Sequence, residues 1–221
     1  IHHSHTTAAL DLAAKFSPFS PATDIEILAA FATHCANVNP DVSIAVFQHI
    51  HKTYCASDNI HVVVQQLALS PGQAHTVLKG YYSVWDILES HGLLPDAPRP
   101  ALFSEDNIRL VAMFGGQDGT GHYLDEAALL FDVYRPLLEH FVRCVSDFMK
   151  SASQDKRLHG IYTYPLDVFS WILSPETRPK APYLALYPVS IMTVAVVQLM
   201  HLMVLYKTLR LSPGELSQSF K

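Results

Sequence analysis

The feature that most constrains the fold is an apolar run, residues 183–206, which carries no formal charge over 24 residues. A run of this length meets the usual criterion for a membrane-spanning helix. Pro188 interrupts it, however, and Gln198 and His201 would need polar partners inside a bilayer. After Pro188 the pattern is apolar nearly all round, which is typical of a helix buried inside a larger α/β core. We therefore predict a buried helix over residues 190–209 rather than a membrane span.

The composition excludes several classes of protein. The chain has 221 residues, of which 49% are hydrophobic and 16% are charged, so an intrinsically disordered chain is excluded. The net charge of −5 argues against a nucleic-acid-binding protein held by bulk charge. The first five residues lack the basic start and apolar run of a signal peptide. These features lead us to expect a cytoplasmic protein.

Cysteine spacing predicts neither disulfides nor a metal site. The three cysteines, Cys35, Cys55 and Cys144, are odd in number and widely spaced, which favours reduced, buried thiols. His49 and His51 flank Ile50 and would point to different faces of a helix, so joint metal ligation is not expected. No His-Glu-x-x-His motif occurs in the sequence.

Residues 1–107 have the pattern of a helical region. Capping boxes at residues 23–26 and 70–73 predict two helix starts, and Gly92 is suited to closing the last helix. A Pro-rich linker over residues 91–107 ends the region and is the best internal boundary. The predicted helices span residues 23 to about 35, 41 to 54, 58 to 69 and 71 to 88.

The pattern changes over residues 108–221. An apolar run at residues 108–114 is bounded at once by Gly115 and Gly116, which predicts a buried strand followed by a tight turn. Further helices follow, the first of them kinked by Pro136. Only one strand is visible, so we expect an α/β domain that is helix-rich in this portion and holds an incomplete sheet. The predicted helices begin at about residue 123, at residue 167, at residue 190 and at a capping box over residues 212–215.

The glycine turn after the predicted strand is the candidate functional site. Glycines let the backbone approach a ligand, and free amides can face a developing negative charge. The run Gly115-Gly116-Gln117-Asp118-Gly119 fits neither a dinucleotide fingerprint nor a P-loop. A G-x-S-x-G nucleophile elbow does not occur in the 221 residues. The turn is therefore a candidate oxyanion-binding site without a nucleophile, and as a pattern alone it is more often plain topology.

Three other titratable residues favour structural roles on the sequence evidence. Asp125 and Glu126 stand near a predicted helix start, where the helix dipole favours negative charge. His201 lies in the apolar helix, which predicts a core histidine hydrogen-bonded to a neighbour. None of the three is predicted to act as a catalytic acid or base.

Several of these motifs together resemble a known family. Residues 111–117 (VAMFGGQ), followed by Tyr123 and residues 125–126, resemble the start of the acetyltransferase domain in the β subunit of fungal type I fatty acid synthase. The resemblance covers about residues 107–216 and is looser through the helical first half, where residues 58–61 fit. The supporting motifs, in the expected order and spacing, are LDVFSWI at 166–172, SPETRP at 174–179, YL at 183–184, PVS at 188–190, VQLMH at 197–201 and LSPGEL at 211–216.

The resemblance implies an acyltransferase with an α/β-hydrolase-like core, interrupted by a small subdomain and preceded by the helical region of residues 1–107. Such a domain, here residues 108–221, moves an acyl starter from coenzyme A to acyl carrier protein through a serine ester. Gln117 would supply a backbone amide to the oxyanion hole, and Gly115 and Gly116 would line the substrate site. The family's Gly-His-Ser-x-Gly elbow would follow shortly after Leu216, so we expect the chain alone to be inactive.

The resemblance also implies substrates and partners. Acetyl-CoA or another acyl-CoA is the expected substrate, without a metal or cofactor in this chain; FMN and NADPH serve other parts of the β subunit. The expected partners are the α subunit and other β subunits of an α6β6 assembly, acyl carrier protein and the remainder of the polypeptide, with no nucleic acid or membrane. Asp118 and residues 191–193 depart from the family pattern, which suggests a divergent, secondary-metabolism member. The alternative is a structural segment of a large multi-enzyme assembly without a catalytic role.

Overall fold

The computed structural model describes residues 23–56, 58–95 and 122–211, together with Gly214. Within these ranges the regular elements are helices, and none of the residues forms a strand. The predicted strand at residues 108–114 lies outside the described residues, as does the capping box at 212–215 apart from Gly214. The helix-rich character of the chain is thus confirmed, whereas the α/β-hydrolase-like core remains a prediction.

Five short α-helices form within the described residues 23–56 and 58–95. Most of them agree with the predicted ranges, but the predicted helix over residues 71–88 is divided in two. The Ser83 hydroxyl donates to the Gly80 carbonyl, and Val84 leaves the helical conformation with φ −114° and ψ 12°. Gly92 follows with φ +64°, the left-handed conformation expected of a residue that closes a helix. The elements are α1 (Asp24–Ala36), α2 (Pro40–Ile50), a π-helical turn (His51–Cys55), α3 (Ile60–Gln66), α4 (Pro71–Tyr82) and α5 (Trp85–Ser90).

One predicted capping box is confirmed and the other is wrong. The Ser70 hydroxyl accepts from the Gln73 amide at 3.4 Å, and Gln73 Oε1 accepts from the Ser70 amide at 3.1 Å. Thr23 precedes α1 as predicted but makes no side-chain capping hydrogen bond. The Glu26 carboxylate accepts instead from Gln73 Nε2 at 3.1 Å. It lies beside the first turn of α4, where the helix dipole favours an anion.

A close contact between α1 and α4 organises the first part of the chain. A Cβ atom added to Gly80 would lie 2.1 Å from the Ala29 carbonyl oxygen, so only glycine allows the two backbones to approach this closely. Ala29 and Ala32 on the facing helix are fully buried. The core around the contact is completed by other buried apolar side chains, including Ile25, Phe47, Ile50, Val77 and Leu88.

The later part of the chain is built on a long, kinked helix. Tyr134 departs from helical geometry with φ −111° and ψ 26°, two residues before Pro136, which confirms the predicted kink. The long apolar helix begins at Tyr187 rather than at the predicted Ser190, because proline is tolerated at Pro188 in a first helical turn. The elements are α6 (Tyr123–Ser153), a 3-10 turn (Lys156–Leu158), α7 (Val168–Leu173), a second 3-10 turn (Pro175–Thr177), α8 (Ala181–Leu184) and α9 (Tyr187–Thr208).

The chain divides into two compact units. The first contains α1 to α5 together with the kink segment Val133–Pro136 of α6. The second contains the remainder of α6 and α7 to α9. The predicted domain boundary near residue 107 lies outside the described residues.

Replacing Gly80 with Ala should destabilise the chain strongly. The added methyl group would overlap a backbone carbonyl, which cannot move without separating α1 from α4, and we expect a loss of about 3 kcal/mol in the free energy of unfolding. Urea denaturation measures this. The matched control is Gly72→Ala, since nothing lies within 4 Å of an added Cβ there; a loss of similar size in the control would contradict the close-packing explanation.

The two capping positions should respond differently to alanine. Ser70→Ala removes the hydroxyl that accepts from the Gln73 amide and donates to Gln73 Oε1, which should lower the free energy of unfolding by about 1 kcal/mol, although the backbone amide at position 70 can still donate to Gln73. Thr23→Ala should change it by much less, because the Thr23 side chain makes no capping hydrogen bond. Thermal unfolding measures both variants. Equal decreases in their free energies of unfolding would contradict a stabilising role for the Ser70 cap.

Candidate functional site

The predicted oxyanion turn, Gly115, Gly116 and Gln117, lies outside the described residues. His122 is the first described residue after this turn, and α6 begins at Tyr123, six residues after Gln117. The first turn of α6 is the described part of the structure that follows the turn most closely in sequence, and its contacts are given below.

Tyr123 ties the start of α6 to α8. Its hydroxyl donates to the Leu184 carbonyl at 3.1 Å, across 61 residues of sequence. Leu184 is the last residue of α8 and is buried. The hydrogen bond therefore joins the first residue of α6 to the segment that leads into α9.

Arg178 ties the same turn to the end of α7. Its Nε donates to the Trp171 carbonyl at 2.7 Å, its Nη2 donates to the Leu124 carbonyl at 3.2 Å, and its Nη1 donates to the Asp125 carboxylate. The Arg178 side chain is only 14% exposed. The hydrogen bond from Arg178 lowers the pKa of Asp125, with a smaller contribution from His122. Asp125, predicted to act only through the helix dipole, is thus also an ion-pair partner.

His201 is not the core histidine that its apolar surroundings in the sequence predict. Its ring is half exposed, and its Nε2 lies 2.7 Å from Glu126 Oε1. The prediction of a hydrogen-bonded neighbour is confirmed, but the prediction of burial is wrong because His201 lies beside the exposed side of α9. Glu126, predicted to interact with the helix dipole, is the partner and lies 75 residues away in sequence.

A further ion pair joins the later arm of α6 to α7. Lys150 Nζ lies 2.6 Å from Asp167 Oδ2, and Asp167 also accepts from the Ser170 amide as the cap of α7. Burial acts to raise the pKa of Asp167, but the hydrogen bonds from Lys150 and Ser170 outweigh it and lower the pKa. The buried Ser146 hydroxyl donates to Asp167 and accepts from the Phe169 amide at 2.9 Å. The helix predicted from residue 167 is confirmed.

The first unit contains an aromatic and histidine cluster that sequence reasoning missed. His51 Nδ1 lies 3.0 Å from the Tyr81 hydroxyl, and His61 Nε2 lies 3.1 Å from the Tyr82 hydroxyl. Burial lowers the pKa of both imidazoles, which favours the neutral form of each ring. Tyr134 at the kink of α6 contacts both Tyr82 and His61. The helical spacing of Tyr81 and Tyr82 with Trp85 was the available signal, but the histidine partners are not local in sequence.

The cysteines form no disulfide. Cys35 and Cys55 are buried as predicted, and burial raises the pKa of Cys55 to about 11, which leaves an unreactive thiol. Cys144 is exposed, which contradicts the prediction that all three are buried; it lies on the outer face of α6, 3.8 Å from His140 Nε2. Within the described ranges, no three histidine, cysteine or acidic side chains are grouped closely enough to hold a metal ion.

Helix α9 buries one face and exposes another, although both are apolar. The helix has 22 residues and is long and apolar enough, by length and composition alone, to cross a membrane. The core helices of soluble proteins also meet this criterion. The buried face contains Val189, Thr193, Val196, Val197 and Met200, and the exposed face contains Ile191, Met192, Leu199 and Leu205. The prediction of a buried helix is therefore confirmed for one face of α9 and wrong for the other.

The chain is similar in sequence to known fungal proteins. No protein-family model matches the chain. The fatty acid synthase subunit beta of Schizosaccharomyces pombe is 33% identical over 173 residues, which is 76% of this chain and 8% of that protein. The fatty acid synthase beta subunit aflB of Emericella nidulans is 33% identical over 175 residues, again 76% of this chain and 8% of the relative. The chain is homologous to the fungal fatty acid synthase β subunits.

Further relatives give the same result. The fatty acid synthase subunit beta of Aspergillus oryzae is 31% identical over 179 residues, covering 77% of this chain and 8% of that protein. The resemblance to fungal fatty acid synthase β subunits, predicted from the motifs, is thus confirmed. The chain spans less than one tenth of the length of these relatives, so the homology extends to a small segment of a much larger multi-enzyme polypeptide.

The ion pair between Lys150 and Asp167 should make stability depend on pH. Because the pKa of Asp167 is lower in the folded chain, its contribution is fully present above the unfolded pKa of about 3.9 and is lost as the pH falls through the folded pKa. Asp167→Asn keeps a helix cap but removes the charge. We expect the free energy of unfolding of the wild type to fall more steeply than that of the variant between about pH 5 and about pH 2.

The matched control for this experiment is Glu176→Gln, an exposed carboxylate two residues before Arg178. Its pH profile should follow that of the wild type. Parallel profiles for the wild type and Asp167→Asn would contradict a stabilising role for the Asp167 charge.

Proposed function

We propose that the chain is part of a fungal fatty acid synthase β subunit and that residues 108–221 are the first part of its acetyltransferase domain. The observation that carries the proposal is the sequence relationship to fungal β subunits over three quarters of the chain. The motif from residue 111 to residue 126 links this relationship to acyl transfer, because it contains the turn that the family uses at its oxyanion hole. The substrate is acetyl-CoA or another acyl-CoA.

The reaction needs both a nucleophile and a site for negative charge. A serine oxygen attacks the thioester carbonyl carbon, the carbonyl oxygen becomes an oxyanion, and coenzyme A leaves as its thiol. The carrier protein's thiol then attacks the ester carbonyl carbon and takes the acyl group, and the serine leaves as its free hydroxyl, which receives the thiol proton. The Gln117 backbone amide donates to the oxyanion, and Gly115 and Gly116 allow the substrate to approach the backbone. The serine elbow does not occur in these 221 residues, so the isolated chain should not transfer acyl groups.

The exposed apolar face of α9 supports a place inside a larger α/β domain. Ile191, Leu199 and Leu205 lie more than one third exposed, on the side opposite the buried face. Exposed apolar patches of this kind mark surfaces that pack against another layer. A sheet completed by other parts of the polypeptide would supply that layer without any need for a membrane.

The assembly and location follow from the same proposal. The partners are the remainder of the polypeptide, the synthase α subunit, other β subunits and acyl carrier protein, in the cytoplasm. FMN and NADPH bind elsewhere in the β subunit, and this chain needs no cofactor for acyl transfer.

A structural role is the second candidate. The low charged fraction of 16% and the exposed side of α9 also suit a segment that only packs into a multi-enzyme assembly. The two candidates differ in the sequence beyond Lys221: the acyltransferase requires a Gly-His-Ser-x-Gly elbow within about a dozen residues, and a stop codon there would favour the structural role.

The glycine turn should matter through its backbone rather than through the Gln117 side chain. In the full-length β subunit, Gly116→Val should distort the turn and lower the rate of acyl transfer by about a hundredfold, as expected for loss of one oxyanion donor. Gln117→Ala keeps the backbone amide and should cost much less. Transfer of labelled acetyl groups from acetyl-CoA to carrier protein measures both rates.

The isolated 221-residue chain is the control for that experiment and should remain unlabelled. Stable, hydroxylamine-sensitive labelling of the isolated chain would contradict the proposed division of the catalytic groups. Equal losses from Gly116→Val and Gln117→Ala would instead assign a role to the glutamine side chain.

A further inference from the structure

We propose that His61 is a pH-sensitive switch: a proton taken up at its Nε2 would deprive the Tyr82 hydroxyl of its acceptor and drive the His61 ring away from Tyr134 at the kink of α6. All three residues belong to the first compact unit. The inference concerns this unit alone and does not depend on acyl transfer.

The Tyr82 hydroxyl relies on His61 for its hydrogen bond. Tyr82 is 1% exposed, and its hydroxyl oxygen lies 3.1 Å from His61 Nε2, its hydrogen-bond partner among the residues that the structure describes. Burial is the main cause that holds the pKa of Tyr82 well above its usual value, so the phenol keeps its proton. A buried hydroxyl proton needs an acceptor. We therefore assign the donor role to Tyr82 and the acceptor role to Nε2, with the ring proton on Nδ1.

Proton uptake at Nε2 reverses the role of that nitrogen. An imidazolium donates from both ring nitrogens and accepts from neither, so the Tyr82 proton would lose its acceptor. A buried donor without a partner is costly. The His61 side chain is only half-buried, so a movement of its ring toward solvent hydrates the imidazolium and lets water reach the Tyr82 hydroxyl.

The same movement separates His61 from the kink of α6. The His61 and Tyr134 rings are stacked, with centroids 6.1 Å apart and an angle of 25° between their planes. The Tyr134 ring also packs against Tyr82, at a centroid distance of 5.1 Å. Helical geometry is lost at Tyr134, so this part of α6 depends on side-chain packing more than its regular arms do. Losing the His61 ring should therefore increase local opening of the backbone around Tyr134.

The titratable groups around this pair carry no charge near pH 6. They are Tyr81 and Tyr82 of α4, Tyr134 of the kink and Cys55 of the π-helical turn. Burial raises the pKa of Tyr134 to about 12 and that of Cys55 to about 11, so both stay protonated. Asp58, just before α3, acts on Cys55, whereas burial is the cause that lowers the pKa of His61. Asp132 and Arg135, which flank Tyr134, are exposed.

The direction of the pH effect follows from the lowered pKa of His61. A free imidazole has a pKa of about 6.5, so above that pH neither the closed nor the open form takes up a proton at His61. As the pH falls below about 6.5, the open form takes up the proton more readily, and the closed form loses its advantage.

The experiment measures hydrogen exchange of the amides at residues 133–138 in the 221-residue chain at pH 7.5 and pH 5.5, corrected for the intrinsic pH dependence of exchange. One pH unit below the pKa of a free imidazole, protonation can raise the population of the open form by at most about tenfold. We expect exchange in the wild type to be about fivefold faster at pH 5.5 than at pH 7.5.

Three variants assign this pH dependence to one histidine. His61→Gln keeps an acceptor for Tyr82 but takes up no proton, so its exchange should agree at the two pH values within about twofold. His49→Gln, which changes an exposed histidine of α2, is the matched control and should keep the wild-type ratio. His51→Gln should also keep it, because His51 pairs with Tyr81 rather than with Tyr82.

Nitrogen-15 NMR of the wild type gives a readout that needs no substitution. At pH 7.5 the His61 Nε2 shift should be that of an unprotonated ring nitrogen, and the ring should titrate below about pH 6.5. A protonated Nε2 at pH 7.5, or a His61 pKa at or above 6.5, would overturn the switch. A pH dependence of exchange that persists in His61→Gln, or that disappears in His51→Gln or His49→Gln, would do the same.

Discussion

The missing backbone donor of Pro136 is the constraint on which the later part of the structure depends. Proline cannot donate the hydrogen bond that would keep α6 straight, and helical geometry is lost at Tyr134. The kink segment Val133–Pro136 belongs to the first compact unit, whereas both arms of α6 belong to the second. Residues of one helix thus belong to both units. The Tyr134 ring packs with Tyr82 and His61 of the first unit.

Around α6, each arm is held by a different set of bonds. The first arm is fixed at its start by Tyr123 and Arg178, and the later arm is fixed by Lys150 to the cap of α7 at Asp167. Both arms of α6 are thus bonded to elements that follow them in the chain.

The features that could be predicted from the sequence are those whose causes are local. The cap at Ser70, the closing Gly92, the kink at Pro136 and the helix start at Asp167 each depend on residues within one turn, and the structure shows all four. Thr23 and Glu26 do not form the predicted capping box, and the Glu26 side chain bonds instead to Gln73, 47 residues away. His201 was predicted to lie in the core, but it is half exposed and pairs with Glu126, 75 residues away.

For the candidate site too, features with local causes could be predicted from the sequence and long-range contacts could not. Its glycine turn is predicted from residue type and spacing, and it stays a prediction because Gly115, Gly116 and Gln117 lie outside the described residues. The hydrogen bonding of Arg178 could not be predicted, because its acceptors on α6 are more than 50 residues away and two of its three partners are backbone carbonyls, which leave no signature in the sequence.

The uncovered face of α9 has a consequence for biosynthesis. Domains fold in the order in which the ribosome delivers them, and exposed apolar surface makes a partly folded chain prone to aggregation. Where the covering layer is encoded later, Ile191, Leu199 and Leu205 stay in contact with water for as long as that layer takes to be made. The longer that delay, the longer the apolar face of α9 is available to aggregate with other chains.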